Sequence, residues 1–90
     1  MKHYVAEIAY TAAPEAVAAS RPAHREHLAS LLARGALVMS GPWADGTGAC
    51  LVYRAQEERE VREMLEADPF RRDGVVEVRS VREWAVVFGA

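Results

Sequence analysis

Two polar residues of this chain stand where hydropathy periodicity calls for apolar ones. His24 lies four residues before Leu28 and seven before Leu31. At roughly 100° per residue it falls near the centre of an apolar helical stripe. Asp68 lies seven residues after Val61, with Met64 and Leu65 one turn back, so it belongs to a second such stripe. Imidazole is the usual general acid or base near neutral pH. A carboxylate beside it fixes its tautomer and stabilises the imidazolium. An inward-facing Asp68 loses hydration, and at the C-terminus of a helix it meets the unfavourable end of the dipole. It therefore needs a partner. The alternative to a proton-transfer pair is a structural ion pair that ties two helix ends together.

The elements that must position this pair follow from the pattern. Lys2 to Thr11 reads as a strand with apolar residues on both faces, hence a central one. Ala12 to Ser20 is a small-residue connection, partly helical. Pro22 suits a first helical turn and Gly35 a stop, so helix 1 is expected over Pro22 to Arg34. Ala36 to Ser40 and Ala49 to Arg54 are short β-runs separated by the Gly41-Pro42 break and the Asp45-Gly46 turn signal, which predicts a hairpin. Glu57 to Ala67 carries Val61, Met64 and Leu65 at helical spacing and ends before Pro69. Its Glu/Arg run is a solvated face with i, i+4 pairs. Val75 to Phe88 reads as one long strand, bent near Ser80.

The order β-α-β-β-α-β is the split pattern of a ferredoxin-like α+β domain. Right-handed crossovers put both helices on one face of a four-stranded antiparallel sheet. With strand 1 pointing up, helix 1 runs down and starts at the top, whereas helix 2 runs up and ends there. His24 and Asp68 therefore converge at one end of the sheet, beside Tyr10 and the Ser40-Gly41-Pro42-Trp43 strand end. The helix-free face is too apolar to be left to water, and a homodimer through that face is expected.

Around the pair, Arg21 sits one turn before His24. It is expected either at the pocket mouth, where it would bind an anionic group with help from the helix N-terminus, or in a salt bridge to Glu15 or Asp68. Ser40 is the one nearby hydroxyl with a claim on the site, and Gly41 follows it. Tyr10 and Trp43 are expected to frame the top, by substrate stacking or by packing. His24 and His27 are three apart, but with Asp68 they make only three ligands and no fourth, so no metal is expected. His27 is read as solvated or edge-packed, and His3 as a surface residue. Cys50 is a lone cysteine in a strand, which leaves neither a disulfide nor a Cys-based zinc site. Gly46-Thr47-Gly48 precedes no helix and is not a phosphate loop.

Bulk properties restrict the partners. The chain has 90 residues, 51% apolar and 27% charged, with a formal net charge of −2. One domain over residues 1–90 is expected. No basic excess directs it to nucleic acid or anionic membrane, and no stretch approaches the roughly 20 apolar residues that span a bilayer. No basic n-region leads into an apolar run, so a cytoplasmic setting is expected.

Arg21-Pro22-Ala23-His24 followed by Leu28 resembles the helix-1 motif R-P-x-H-x-x-x-L of the YciI-like (YCII-related) family. Gly35, Ser40-Gly41-Pro42 and Gly48 match the family's glycine rhythm, and Asp68-Pro69-Phe70 with Gly74-Val75 resembles its D-P-F/Y-x-x-x-G-V segment. The resemblance covers essentially the whole chain. It implies a dimeric ferredoxin-like α/β barrel, in the wider set that includes muconolactone isomerases. It also implies that His24 and Asp68 correspond to the family's catalytic pair. A few relatives act as dehydrochlorinases or lyases on hydroxylated aromatic rings. The segment between Pro42 and Gly48 is shorter here than in some members, which alters the pocket's outer wall.

The function expected is a small cofactor-independent enzyme. Its His24–Asp68 acid/base pair would act on a small polar organic molecule by proton abstraction of the lyase or isomerase type. The alternative is a non-catalytic metabolite-binding or dimerisation module in which the pair is structural.

Overall fold

The computed structural model describes residues 1–89; Ala90, the last residue of the expected 1–90 domain, lies outside them. The elements run β1 (Lys2–Tyr10), α1 (Pro14–Ala33), β2 (Leu37–Pro42), β3 (Gly48–Ala55), α2 (Glu58–Ala67), α3 (Pro69–Arg72) and β4 (Val76–Trp84). The sheet order is β2-β3-β1-β4 with every neighbouring pair antiparallel. This is the ferredoxin-like βαββαβ arrangement, and β1 is central in it.

Alternation along β1 decides which face is which. Tyr4, Ala6 and Ile8 are buried, and they join Leu51, Tyr53 and Ala55 of β3 in one core beneath the helices. Val17, Leu28 and Leu31 of α1, with Val61 and Leu65 of α2, close that core from above. Val5 and Val52 face the other way. Among the described residues no helix is long and apolar enough to cross a membrane.

Three boundaries differ from the sequence reading. Helix α1 starts at Pro14, so the small-residue connection is itself helical and Pro22 lies inside the helix. Pro22 deletes one i→i−4 hydrogen bond, at a cost of about 3 kcal/mol in isolation. The helix continues because Val17, Ser20, His24, Leu28 and Leu31 form a single buried row across the proline. Strand β2 runs through Gly41-Pro42 instead of breaking there. It is an edge strand, where a missing N–H is tolerated. Strand β4 ends at Trp84 rather than at Phe88. Its expected bend is a bulge, since the register steps from Glu7–Ser80 to Ile8–Val78 and leaves Arg79 unopposed.

Two glycines have specific work. Gly35 takes φ +77°, and the Gly35 and Ala36 N–H groups donate back to the Leu32 and Leu31 carbonyls at 3.1 and 2.9 Å. That Schellman pattern ends α1. Gly48 lies where β3 approaches β1 so closely that a β-carbon would stand 2.0 Å from the Ile8 carbonyl oxygen. Gly48→Ala is therefore expected to cost about 2 kcal/mol or more. Gly41→Ala, whose added carbon meets open space, is expected to change stability by less than about 0.5 kcal/mol. Thermal unfolding of the two variants checks the pair.

Candidate active site

Helix α1 presents His24 from its buried row, and the α2–α3 junction presents Asp68. The His24 Nδ1 atom lies 2.8 Å from Asp68 Oδ1 and 2.9 Å from Oδ2. Both residues are buried, at 7% and 2% exposure. The convergence expected from topology is realised at the top of the sheet.

The local reason for the geometry differs from the one expected. Asp68 is the C-cap of α2, but it is also the N-cap of α3, a one-turn helix in place of the simple turn read after Pro69. Its Oδ1 accepts the Phe70 N–H at 2.9 Å. The carboxylate thus meets the favourable end of a helix turn, and Pro69 occupies the first helical position, where no N–H is needed. Nearby, the Ser20 hydroxyl donates to Asp73 Oδ2 at 2.7 Å and ties α1 to the end of the same turn.

Phe70 completes the mounting. Its ring stacks on the His24 imidazole with centroids 3.7 Å apart and planes 8° apart. Tyr10 meets Phe70 edge-on at 6.0 Å. A stacked ring on one face and a carboxylate on one edge leave the imidazole a single orientation. An ionised carboxylate only accepts, so Nδ1 carries the hydrogen and Nε2 is the nitrogen left for proton exchange. Among the described residues Nε2 has no protein partner, and it is not sealed from solvent.

Beside the imidazole is a cavity of about 200 Å³. Tyr10, Arg21, Ser40 and Gly41 line it with His24, as do Leu28, Pro42, Ala49, Leu51 and Phe70. Arg25, one turn after Arg21, is a further wall residue. Trp43 does not join them. Ser40 and Pro42 pair with Leu51 and Ala49 on the helix side of the sheet, so strand alternation sends Trp43 to the opposite face. There it lines a groove of about 520 Å³ with Val5, Glu7, Cys50, Val52, Arg82, Glu83 and Trp84.

The remaining polar residues have defined places. His27 donates from Nε2 to the Met64 carbonyl at 3.1 Å and does not approach the pair. Among the described residues Arg21 forms no salt bridge to Glu15 or Asp68. His3 is half-buried with an unpartnered Nε2, not a plain surface residue. Burial, and then the charge of Glu7, push the Cys50 thiol up, which makes it a poorer nucleophile. The Tyr53 hydroxyl is buried without a protein partner. Burial, and then the negative charge of Asp68, push its phenol up.

Arg25 and Phe70 were the residues that sequence reasoning missed as site residues. Arg25 could have been found from its i, i+4 relation to Arg21. Phe70 could have been found from its place in the first turn after a capping aspartate.

Comparison with known proteins agrees with this architecture. The family model of the YCII-related domain matches residues 1–85, and the chain belongs to that family. A protein of Emericella nidulans named derivative of benzaldehyde biosynthesis cluster protein C is 39% identical over 71 residues. That alignment covers 67% of this chain and 72% of the relative. The solved structure of 5-chloro-2-hydroxyhydroquinone dehydrochlorinase from Burkholderia phenoliruptrix AC1100, in complex with 2,5-dihydroxybenzoquinone, superposes with a TM-score of 0.77. It is 24% identical and covers 93% of both chains, and this likeness establishes the fold.

Asp68→Ala leaves His24 without its partner and α3 without its cap, and is expected to cost on the order of 3 kcal/mol in urea unfolding. Asp68→Asn retains an oxygen for the Phe70 N–H and is expected to cost only about 1 kcal/mol. At alkaline pH Tyr53 contributes a separate dependence. Its folded phenol is held protonated beyond the ordinary range, so its contribution is complete below about pH 10 and is lost as pH rises above it. Tyr53→Phe is expected to flatten the fall in stability above pH 10, measured by unfolding at stepped pH.

Proposed function

We propose that this YCII-related protein is a small cofactor-independent enzyme in which His24 moves a proton at Nε2 while Asp68 holds Nδ1–H. The observation that carries this reading is a buried imidazole with one nitrogen fixed by a carboxylate and the other free beside a walled cavity. In the forward direction Nε2 takes a proton from a carbon or hydroxyl acid of the substrate. The imidazolium that forms is stabilised by Asp68 at 2.8 Å. The same nitrogen then returns the proton at a second position, as an isomerisation, or to a departing group, as an elimination. Tyr10 and Ser40 stand on the cavity wall to hydrogen-bond the substrate's oxygens, Gly41 leaves room for it, and Arg21 supplies a positive charge. Trp43 has no part in this cavity. The solved relative acts on a small chlorinated, hydroxylated ring by its name, and a cavity of about 200 Å³ here suits a ligand of one-ring size.

The proposed unit is a cytoplasmic homodimer joined through the helix-free face. Trp43 and Trp84 are 43% and 52% exposed there, and Val5 and Val52 lie between them in one groove. Large exposed apolar side chains gathered on a sheet face mark an interface.

The double duty of Asp68 favours one competing reading, in which the pair only clamps α1 to α3. Proton exchange separates the two. The parent is expected to catalyse deuterium uptake from D2O into a hydroxylated one-ring substrate, and His24→Gln to reduce the rate by about 10²-fold or more at unchanged fold by NMR. Equal rates in parent and variant, on every substrate the parent turns over, would leave the clamp as the pair's role.

A further inference from the structure

The cavity beside His24 has an uneven charge. Its polar wall consists of Arg21, Arg25, Tyr10, Ser40 and the imidazole itself, and among the described residues no acidic side chain lines it. The two acids that α3 brings to this end are already engaged, Asp68 by His24 and the Phe70 N–H, Asp73 by the Ser20 hydroxyl. Arg21 and Arg25 are one helical turn apart on α1, and among the described residues neither has a carboxylate partner. Like charges at i, i+4 repel each other. By contrast, the arginines of α2 at Arg59 and Arg62 are each paired with a glutamate one turn away. Among the described residues, α1 thus brings two arginines without carboxylate partners, one turn apart, to the wall of one cavity, whereas Arg59 and Arg62 of α2 are neutralised by neighbouring glutamates.

We propose that Arg21 and Arg25 form a clamp for one anionic group, and that the ligand is a single-ring carboxylate. This rests on reading the His24 cavity as the substrate site. The guanidinium is the side chain whose planar fork matches a carboxylate, and two of them neutralise the mutual repulsion by sharing one anion. The inner wall is apolar, with Leu28, Leu51 and Phe70, and about 200 Å³ accommodates one six-membered ring. A carboxylate at the arginine mouth directs the ring inward, toward His24 Nε2. The clamp thus determines specificity and orientation, and the imidazole determines the chemistry.

The test is a binding titration of the full chain by ¹H–¹⁵N NMR, with benzoate, benzamide and benzyl alcohol as probes. Benzoate is expected to bind at least about tenfold more tightly than either neutral probe, and to perturb Arg21, Arg25 and the Ser40–Gly41 segment. Arg21→Gln and Arg25→Gln are each expected to weaken benzoate about tenfold and to leave benzyl alcohol unchanged. The benzoate preference should also shrink as salt is raised, because an ion pair at a cavity mouth is partly screened. Equal affinity for the three probes, absence of benzoate binding, or arginine variants that bind benzoate like the parent would each overturn the clamp. The same titration on His24→Gln separates the two proposals. Retained benzoate preference there, with no proton exchange difference from the parent, leaves the clamp standing and removes the catalytic reading. Lost preference in the arginine variants supports the clamp and lost preference in neither overturns it, whatever His24→Gln does to proton exchange.

Discussion

A carboxylate that is 2% exposed has to be compensated on every side, and much of this domain's upper end is arranged around that requirement at Asp68. Its Oδ1 receives the Phe70 N–H and the His24 Nδ1–H, and Oδ2 shares the latter. Each donor comes from a different element. The amide exists only because the chain turns at Pro69 into α3, and the imidazole is in reach only because α1 lies across that junction. The Ser20–Asp73 bond then locks α1 to the far end of the same turn. The hydrogen bonds around this one carboxylate thus join α1 to the α2–α3 junction and add direction to the packing of the shared core.

The convergence of His24 and Asp68 was readable because it depended on two robust signals. Polar residues on otherwise apolar helical rows are visible from spacing alone, and the split βαββαβ order leaves only one end of the sheet where helix 1 begins and helix 2 ends. What could not be read depended on weaker local preferences. Pro22 resembles a helix start, yet buried residues on both sides of it, Val17 and Ser20 before and His24 after, hold the helix through. Gly41-Pro42 resembles a break, yet the position is on an edge strand that tolerates it. Trp43 is close to the site along the chain, but strand alternation from Ser40 and Pro42 sends it to the other face. Nearness along a strand does not fix the face; the alternation does.

The two faces of the sheet divide the labour. The helix-covered face carries the core and the imidazole, and the opposite face carries Trp43, Trp84, Val5 and Val52. Cys50 lies on that second face opposite Glu7, and burial, then the charge of Glu7, push its thiol up, so the chain's one cysteine is remote from the His24–Asp68 pair and a poor nucleophile.

The two ring nitrogens of His24 stand in different surroundings. One of them is held from two sides. Nδ1 is shared by two carboxylate oxygens, and the ring is pinned against Phe70. Among the described residues the other nitrogen has no protein partner, and it lies beside a cavity. This mounting fixes the direction in which Nε2 faces, because the stacked ring and the carboxylate restrain the imidazole together. Leu28, Leu51 and Phe70 make part of the cavity wall apolar, and a lower local dielectric strengthens the electrostatic interactions made there. Asymmetry between the two nitrogens, and not the presence of a buried pair as such, is the feature on which the proposed proton transfer rests, whereas the held side alone is enough for a clamp.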